Sequence, residues 1–217
     1  HGSTDNQLLK EKGVHIWDAN ASPEFLASRG LTYKEDDLGP IYGHQWRHFN
    51  APYTDCHTDY TGKGVDQLQN IIDDLKDPER RYSRRLVMSA WNPCQLDEMA
   101  LPPCHIMAQF NVVKSEGRDK LSCLMYQRSA DVGLGMPYNI TSYSLLTILL
   151  AHHCDMDCGE FVYMIGNAHI YEAHVEGLKE QICRTEYSLP SVIILNKYEN
   201  INDYTESDFR LLSYRYH

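Results

Sequence analysis

The sequence predicts a single α+β domain in which helices cover a mixed β-sheet. Its 217 residues, 42% of them hydrophobic, are enough to build one sizeable core. Short apolar segments typical of strands and longer segments typical of helices follow one another in mixed order rather than in strict alternation. No internal repeat or Gly/Ser-rich linker divides the chain, so one domain spanning residues 1–217 is the simpler interpretation.

Composition and charge exclude several classes of protein. The longest apolar stretch, 145–151, is far shorter than the roughly 18 to 20 residues that span a bilayer. A formal net charge of −10 opposes bulk binding to nucleic-acid backbones. The seven cysteines, odd in number and scattered, favour reduced thiols over a disulfide framework. We therefore expect a cytoplasmic protein without a membrane span, and leave the nucleus and the mitochondrion open.

Two helices are predicted in the first half of the chain. Ser22, Pro23 and Gly30 suit the N-cap, the first turn and the C-terminal end of a short helix. A stronger helix is predicted between Gly64 and Pro78, because Pro78 prevents its continuation. The apolar side chains that repeat at helical spacing in this segment are Val65, Leu68, Ile71, Ile72 and Leu75.

Strands and two further helices are predicted beyond residue 85. The nearly continuous apolar segment 140–154 predicts a buried helix, and a second helical pattern follows at 171–182. The polar stretch 114–119 is the expected loop of a hairpin. The predicted strands are 86–91, 106–112, 121–127, 160–165, 191–195 and 209–214.

Cys104 is the first candidate for chemistry. It follows Pro102 and Pro103, which fix the backbone before a predicted strand and so present the thiol rigidly. The residue types alone leave open a nucleophile or a small buried side chain. His105 is a poor candidate for its base, because neighbouring strand side chains point to opposite faces.

Three other polar groups leave alternatives open. The segment 126–131 brings a cation, a hydroxyl, an amide and a carboxylate to a glycine-containing turn, which fits a ligand site or an Arg128–Asp131 ion pair. The arginine-rich segment 80–85 could hold one small phosphate or be a solvated patch. The His/Cys segment 152–158 lacks a second ligand pair at zinc-finger spacing, so no metal site is predicted.

Five segments together resemble thymidylate synthase, in order and at the family's spacing across essentially the whole chain. That family methylates dUMP to dTMP, with 5,10-methylenetetrahydrofolate as the donor of both the carbon and the hydride and dihydrofolate as the second product. The resemblance therefore implies a methyltransferase of dTMP biosynthesis. The matching segments are DLGPIYGHQWR at 37–47, ALPPCH at 100–105, YQRSAD at 126–131, PYNI at 137–140 and GNAHIY at 166–171.

The resemblance also implies roles for individual residues. Cys104 would attack C6 of the uracil ring, Arg128 would stabilise the thiolate and bind phosphate, and Asn139 would recognise the pyrimidine edge. Tyr42 and Asp131 complete the expected catalytic set. The further dUMP-binding residues implied are Arg84, Arg85, Gln127, Ser129, His169 and Tyr171, and the folate-binding residues are Ile16, Trp17, Asp131, Leu134, Gly135 and Tyr138.

Partners and limits follow from the same resemblance. It implies a homodimer formed through a sheet face, with Arg84 and Arg85 acting in the partner's site, and it allows a fused dihydrofolate reductase domain. We expect the family's N-terminal phosphate loop, its glutamate-bearing helix and its C-terminal closing tail to lie outside residues 1–217, which leaves these residues weakly active or inactive alone. The alternatives are a non-catalytic paralogue that dimerises and binds nucleotide, and a deoxycytidylate hydroxymethylase, which Asn139 disfavours.

Overall fold

A computed structural model describes residues 2–216, in which the chain forms two compact units. The first unit ends at Gln109 and the second begins at Phe110. Helices and both kinds of strand pairing are present, so the predicted α+β class with a mixed sheet is confirmed. Across these described residues, no helix combines the length and the apolar character that crossing a membrane requires.

In the first unit the regular elements are mostly short helices, and two of its strands pair antiparallel. β1 pairs with β2, and Val87 lies opposite Gln109. The helices are α1 (Gln7–Lys10), α2 (Pro23–Ser28), α3 (Tyr42–His48) and α4 (Gln67–Lys76), and the strands are β1 (Val87–Ser89) and β2 (His105–Val113), which continues into the second unit. The core beneath α2 is formed by Ala21, Leu26, Leu38, Ile41, Met99 and Ala100.

Both predicted helices of this unit form, and their ends follow from capping. The Ser22 hydroxyl accepts the backbone N–H of Phe25 at 3.2 Å, so α2 begins at Pro23 as predicted. α4 begins later than Gly64, because the Asp66 side chain accepts the N–H of Gln69 at 2.9 Å and acts as the N-cap. The buried face of α4 is Leu68, Ile71, Ile72 and Leu75.

Val65 is the exception in the predicted apolar repeat. It precedes the N-cap of α4, its side chain is 49% exposed, and its backbone exchanges hydrogen bonds with that of Phe49. The helical face predicted from the apolar spacing is therefore confirmed from Leu68 onward and wrong at Val65. Capping, and not hydrophobicity, decides where this helix starts.

The second unit combines a parallel strand pair, a long helix and a small antiparallel strand pair. β3 neighbours β2 in the sheet and pairs in parallel with β4, to which α5 connects it. β5 and β6 form a separate antiparallel pair. The elements are β3 (Lys120–Asp131), α5 (Gly135–His153), β4 (Asp157–His169), α6 (Val175–Gln181), β5 (Ser191–Ile194) and β6 (Phe209–Leu212).

The predicted buried helix begins earlier in the structure than at Ile140. α5 starts at Gly135 and takes in Pro137, which the first turn of a helix tolerates because its missing N–H would have no intrahelical partner. Ile140 is itself exposed, so a face of α5 is buried and not the whole helix. The buried residues are Tyr143, Thr147, Leu150, Ala151 and His153.

Candidate active site

Cys104 lies directly before β2 and is held through its backbone. Its N–H donates a hydrogen bond to the Tyr42 hydroxyl at 3.0 Å, and the side chain is half-buried behind the buried Pro103. Tyr42 is the first residue of α3, and Cys104 immediately precedes β2. This hydrogen bond therefore joins the start of the helix to the start of the strand. Tyr42, which the resemblance places near the nucleophile, therefore fixes the segment that carries Cys104.

His105 packs on the other side of this contact. Its ring stacks on that of Tyr42, with the centroids 4.1 Å apart and the planes inclined by 17°. Burial lowers the pKa of His105 to about 4, so the ring is neutral at physiological pH and only a weak base. The arrangement makes His105 a packing partner of Tyr42.

An apolar surface continues from Tyr42 within the first unit. The Trp17 and Tyr42 rings are 5.9 Å apart, and both pack against the core beneath α2. Ile16 precedes Trp17 and is half exposed. Trp17, one of the two residues assigned to the folate wall in this unit, therefore lies against the tyrosine that holds Cys104.

The arginine-rich segment before β1 divides into two parts. Arg80 forms ion pairs with Asp74 at 2.7 Å and Asp77 at 2.8 Å, so two carboxylates of the same unit already neutralise its charge. Arg84 and Arg85 are exposed. A phosphate patch that includes Arg80 is therefore not supported, whereas Arg84 and Arg85 present their side chains to solvent.

A chain of side-chain hydrogen bonds runs from β4 through β3 to α5. The Tyr163 hydroxyl donates to Gln127 Oε1 at 2.8 Å. Gln127, which is buried, donates from Nε2 to the Ser129 carbonyl at 2.8 Å and to Asn139 Oδ1 at 3.0 Å. Because Asn139 Oδ1 faces a donor, its amide orientation is set and its amino group lies on the other side.

The carboxyl ends of β3 and β4 lie together because the strands are parallel. Asp131 is opposite His169 in the register, and the Asp131 carboxylate accepts the N–H of Gly133 at 3.1 Å. Its Oδ1 also lies 3.6 Å from His174 Nδ1. The His169 and Tyr171 rings meet edge to face at 5.3 Å. Asp131, His169 and Tyr171, all predicted ligand residues, are thus grouped at this strand edge.

The remaining predicted residues of the second unit follow these strand ends. Arg128 and Ser129 lie on β3, and Ser129 pairs with Asn167 of β4. Leu134 and Tyr138 are exposed apolar side chains around the start of α5 at Gly135. Their exposed apolar side chains lie near Asp131 in the sequence, and their assignment to the folate stays a prediction.

Two features of this unit were not expected from the sequence. Tyr163 orients Gln127, and its only sequence signal is its position in an alternating strand. His174 contacts Asp131, and the space beside it explains Gly133, where a Cβ would lie 2.5 Å from His174 Nδ1. Of the two cysteines in segment 152–158, Cys154 is buried and Cys158 is exposed.

Comparison with known proteins identifies the family. The family model described as thymidylate synthase matches residues 1–217. The bifunctional dihydrofolate reductase-thymidylate synthase of Zea mays is 55% identical over all of this chain, which spans 40% of that relative's length. The thymidylate synthase of Candida albicans is 49% identical over 98% of this chain and 73% of its own length, and that of human herpesvirus 8 is 51% identical over 98% and 62%. This chain belongs to the thymidylate synthase family.

Proposed function

We propose that this chain carries out the reductive methylation of dUMP to dTMP, with 5,10-methylenetetrahydrofolate as co-substrate and dihydrofolate as second product. Family membership and the names of its relatives support this reaction. The chain spans about two-fifths of the plant relatives' length, and those relatives' names join this activity to a dihydrofolate reductase. A fused reductase that recycles dihydrofolate is part of the proposal.

Cys104 is the proposed nucleophile. Its sulfur adds to C6 of the pyrimidine, so that C5 becomes a carbon nucleophile and one difficult substitution is divided into easier steps. The folate supplies the one-carbon unit and the hydride. The sulfur leaves C6 after C5 has lost its proton to a base. The hydrogen bond from the Cys104 backbone to Tyr42 supports this role, because it fixes the sulfur's position without using the sulfur itself.

The observation that carries the choice of dUMP is the hydrogen-bond chain ending at Asn139. With Gln127 donating to Asn139 Oδ1, the Asn139 amino group is oriented to donate to a pyrimidine acceptor. Uracil presents an acceptor at O4 and a donor at N3, whereas cytosine presents an amino donor at C4. The orientation favours uracil, which argues against the deoxycytidylate hydroxymethylase alternative.

The other residue roles remain proposals from the family resemblance. Arg128 and Ser129 bind the phosphate, and His169 and Tyr171 bind the 3′-hydroxyl of the sugar. Asp131 hydrogen-bonds the pterin, and the exposed Leu134 and Tyr138 would regain apolar burial against it. The other residues assigned to the folate are Ile16, Trp17 and Gly135.

Trapping of the nucleotide tests the proposed function. When the chain is incubated with 5-fluoro-dUMP and methylenetetrahydrofolate, we expect intact-mass spectrometry to show both ligands bound covalently, because C5 carries fluorine and cannot lose a proton. A Cys104→Ser chain should show no adduct. If the adduct is absent both here and on a chain extended by its natural flanking segments, the non-catalytic alternative is favoured.

A homodimer that shares its arginines is a separate proposal. Arg84 and Arg85 are exposed in the structure, as side chains serving a partner's phosphate would be in one isolated copy. Mixing inactive Arg84→Ala and Cys104→Ala chains should restore part of the activity, since a mixed dimer holds one complete site. Activity that stays at the level of the separate variants after subunit exchange, verified by mass, would contradict sharing between subunits.

A further inference from the structure

We propose that the first unit binds a Zn²⁺ ion through the Cys56 thiolate, the His57 imidazole and the Asp5 carboxylate. One ligand atom from each of these residues lies within 4.8 Å of the other two. Cys56 Sγ is 3.7 Å from His57 Nε2, and His57 Nδ1 is 3.8 Å from Asp5 Oδ2. In tetrahedral zinc sites the bond lengths place such ligand atoms roughly 3.3 to 3.6 Å apart, so side-chain rotations would bring the three ligand atoms about 1 Å closer around one of the two ring nitrogens.

The backbone of the loop that carries the two adjacent ligands is already fixed. The Cys56 N–H donates to Asp37 Oδ2 at 3.0 Å, and the His57 N–H donates to Asp55 Oδ1 at 2.9 Å. Two carboxylates outside the ligand set therefore hold the peptide groups of both residues, which is how supporting groups orient metal ligands.

The third ligand reaches the loop from another segment. Asp5 forms a β-bridge with Asp37, whose carboxylate binds the Cys56 backbone. Asp5 Oδ1 accepts the N–H of Gln7 at 2.9 Å, and Oδ2 is the oxygen that faces His57. A metal ion here would join the amino-terminal segment to the loop, in addition to the existing hydrogen bonds.

The charges around the thiol favour a cation. The ligands border a cavity of about 510 Å³ that is lined by five carboxylates, those of Asp5, Glu35, Asp36, Asp37 and Asp55. A bound divalent cation would stabilise the Cys56 thiolate directly, and the thiol proton would leave for solvent.

The donor atoms select the kind of metal. A thiolate with an imidazole suits zinc and similar transition metals, whereas Mg²⁺ and Ca²⁺ prefer oxygen ligands alone. Three protein ligands leave a fourth position for water. The proposal does not depend on the proposed function, because none of the three residues belongs to the set assigned to dUMP or folate.

Metal titration of the full chain tests the site. We expect Zn²⁺ to bind with one equivalent in calorimetry and Co²⁺ to give the thiolate-to-metal charge-transfer absorption that only sulfur ligation produces. Cys56→Ser should abolish that absorption, and Asp5→Asn or His57→Gln should weaken Zn²⁺ binding by about 10-fold or more. The His57 side chain is 73% exposed, so His57→Gln is expected to leave the fold intact, which circular dichroism verifies.

The matched control is Cys94→Ser, which removes an exposed thiol of the same unit and should leave both signals unchanged. Absence of Zn²⁺ binding, Co²⁺ binding without the charge-transfer band, or an unchanged affinity in Cys56→Ser and His57→Gln would each overturn the proposal. Because the readouts are metal affinity and absorption, failure here is distinguishable from failure of the methylation proposal.

Discussion

Replacing Cys104 with serine is expected to lower the rate of dTMP formation by about 10⁴-fold or more. A hydroxyl is far less ionised than a thiol at neutral pH and far less nucleophilic towards C6. The change is nearly isosteric, and the contact with Tyr42 uses the backbone N–H, so the local structure should persist. Release of tritium from dUMP labelled at C5 measures the loss, on this chain and on one extended by its flanking segments.

Cys94→Ser is the matched control for this variant. Cys94 is an exposed cysteine of the same unit whose N–H bonds to Asn92 Oδ1, a contact that the substitution also leaves in place. Its turnover should equal that of the unsubstituted chain. Tritium release by the Cys104→Ser chain at a comparable rate would remove Cys104 from the mechanism, and equal losses in both variants would indicate a general sensitivity to cysteine replacement.

Asn139→Asp is expected to change which nucleotide is accepted. An ionised aspartate has only acceptor atoms, so it still accepts from Gln127 but can no longer donate to O4 of uracil. We expect kcat/KM for dUMP to fall by about 10²-fold or more, because a polar edge of the substrate loses its partner. Cytosine presents a donor at the same position, so folate-dependent turnover of dCMP should become measurable.

The control for this change is Asn167→Asp, the same substitution on β4. An aspartate at this position can still accept from His169, whose Nδ1 lies 3.2 Å from Asn167 Oδ1. Its preference for dUMP should be retained. If Asn139→Asp also keeps that preference, recognition of the pyrimidine lies with other residues.

The sequence predicts element types well and element ends less well, for physical reasons. Hydrophobic spacing identified the buried face of α4, but Val65 fits that spacing and lies outside the helix, because the Asp66 cap determines the first turn. α5 similarly extends to Gly135, although Pro137, Tyr138 and Ile140 in its first turns are exposed. Apolar periodicity indicates which face of a helix is buried. Helix ends depend instead on capping hydrogen bonds, which this periodicity does not reveal.

Site residues that belong to the family's segments could be predicted from the sequence. Residues that only orient those site residues could not. Cys104, Asn139 and Asp131 belong to segments that identify the family. Tyr163 lies outside those segments and affects Asn139 only through Gln127, a relation that depends on the parallel register of β3 and β4. Pairing across strands distant in sequence has no local signature, so such orienting residues emerge only from the structure.

During synthesis, β3 leaves the ribosome before its partner β4, since α5 separates the two strands along the chain. α5 can cover a face of β3, but only β4 satisfies the backbone groups along that edge. Parallel pairing is also slow, because the intervening chain must first close a long loop. A nascent chain in this interval exposes an unpaired edge to its neighbours. We therefore expect newly made chains to associate most readily through this edge before β4 is complete, and a chaperone acting at that stage to raise the yield of folded protein.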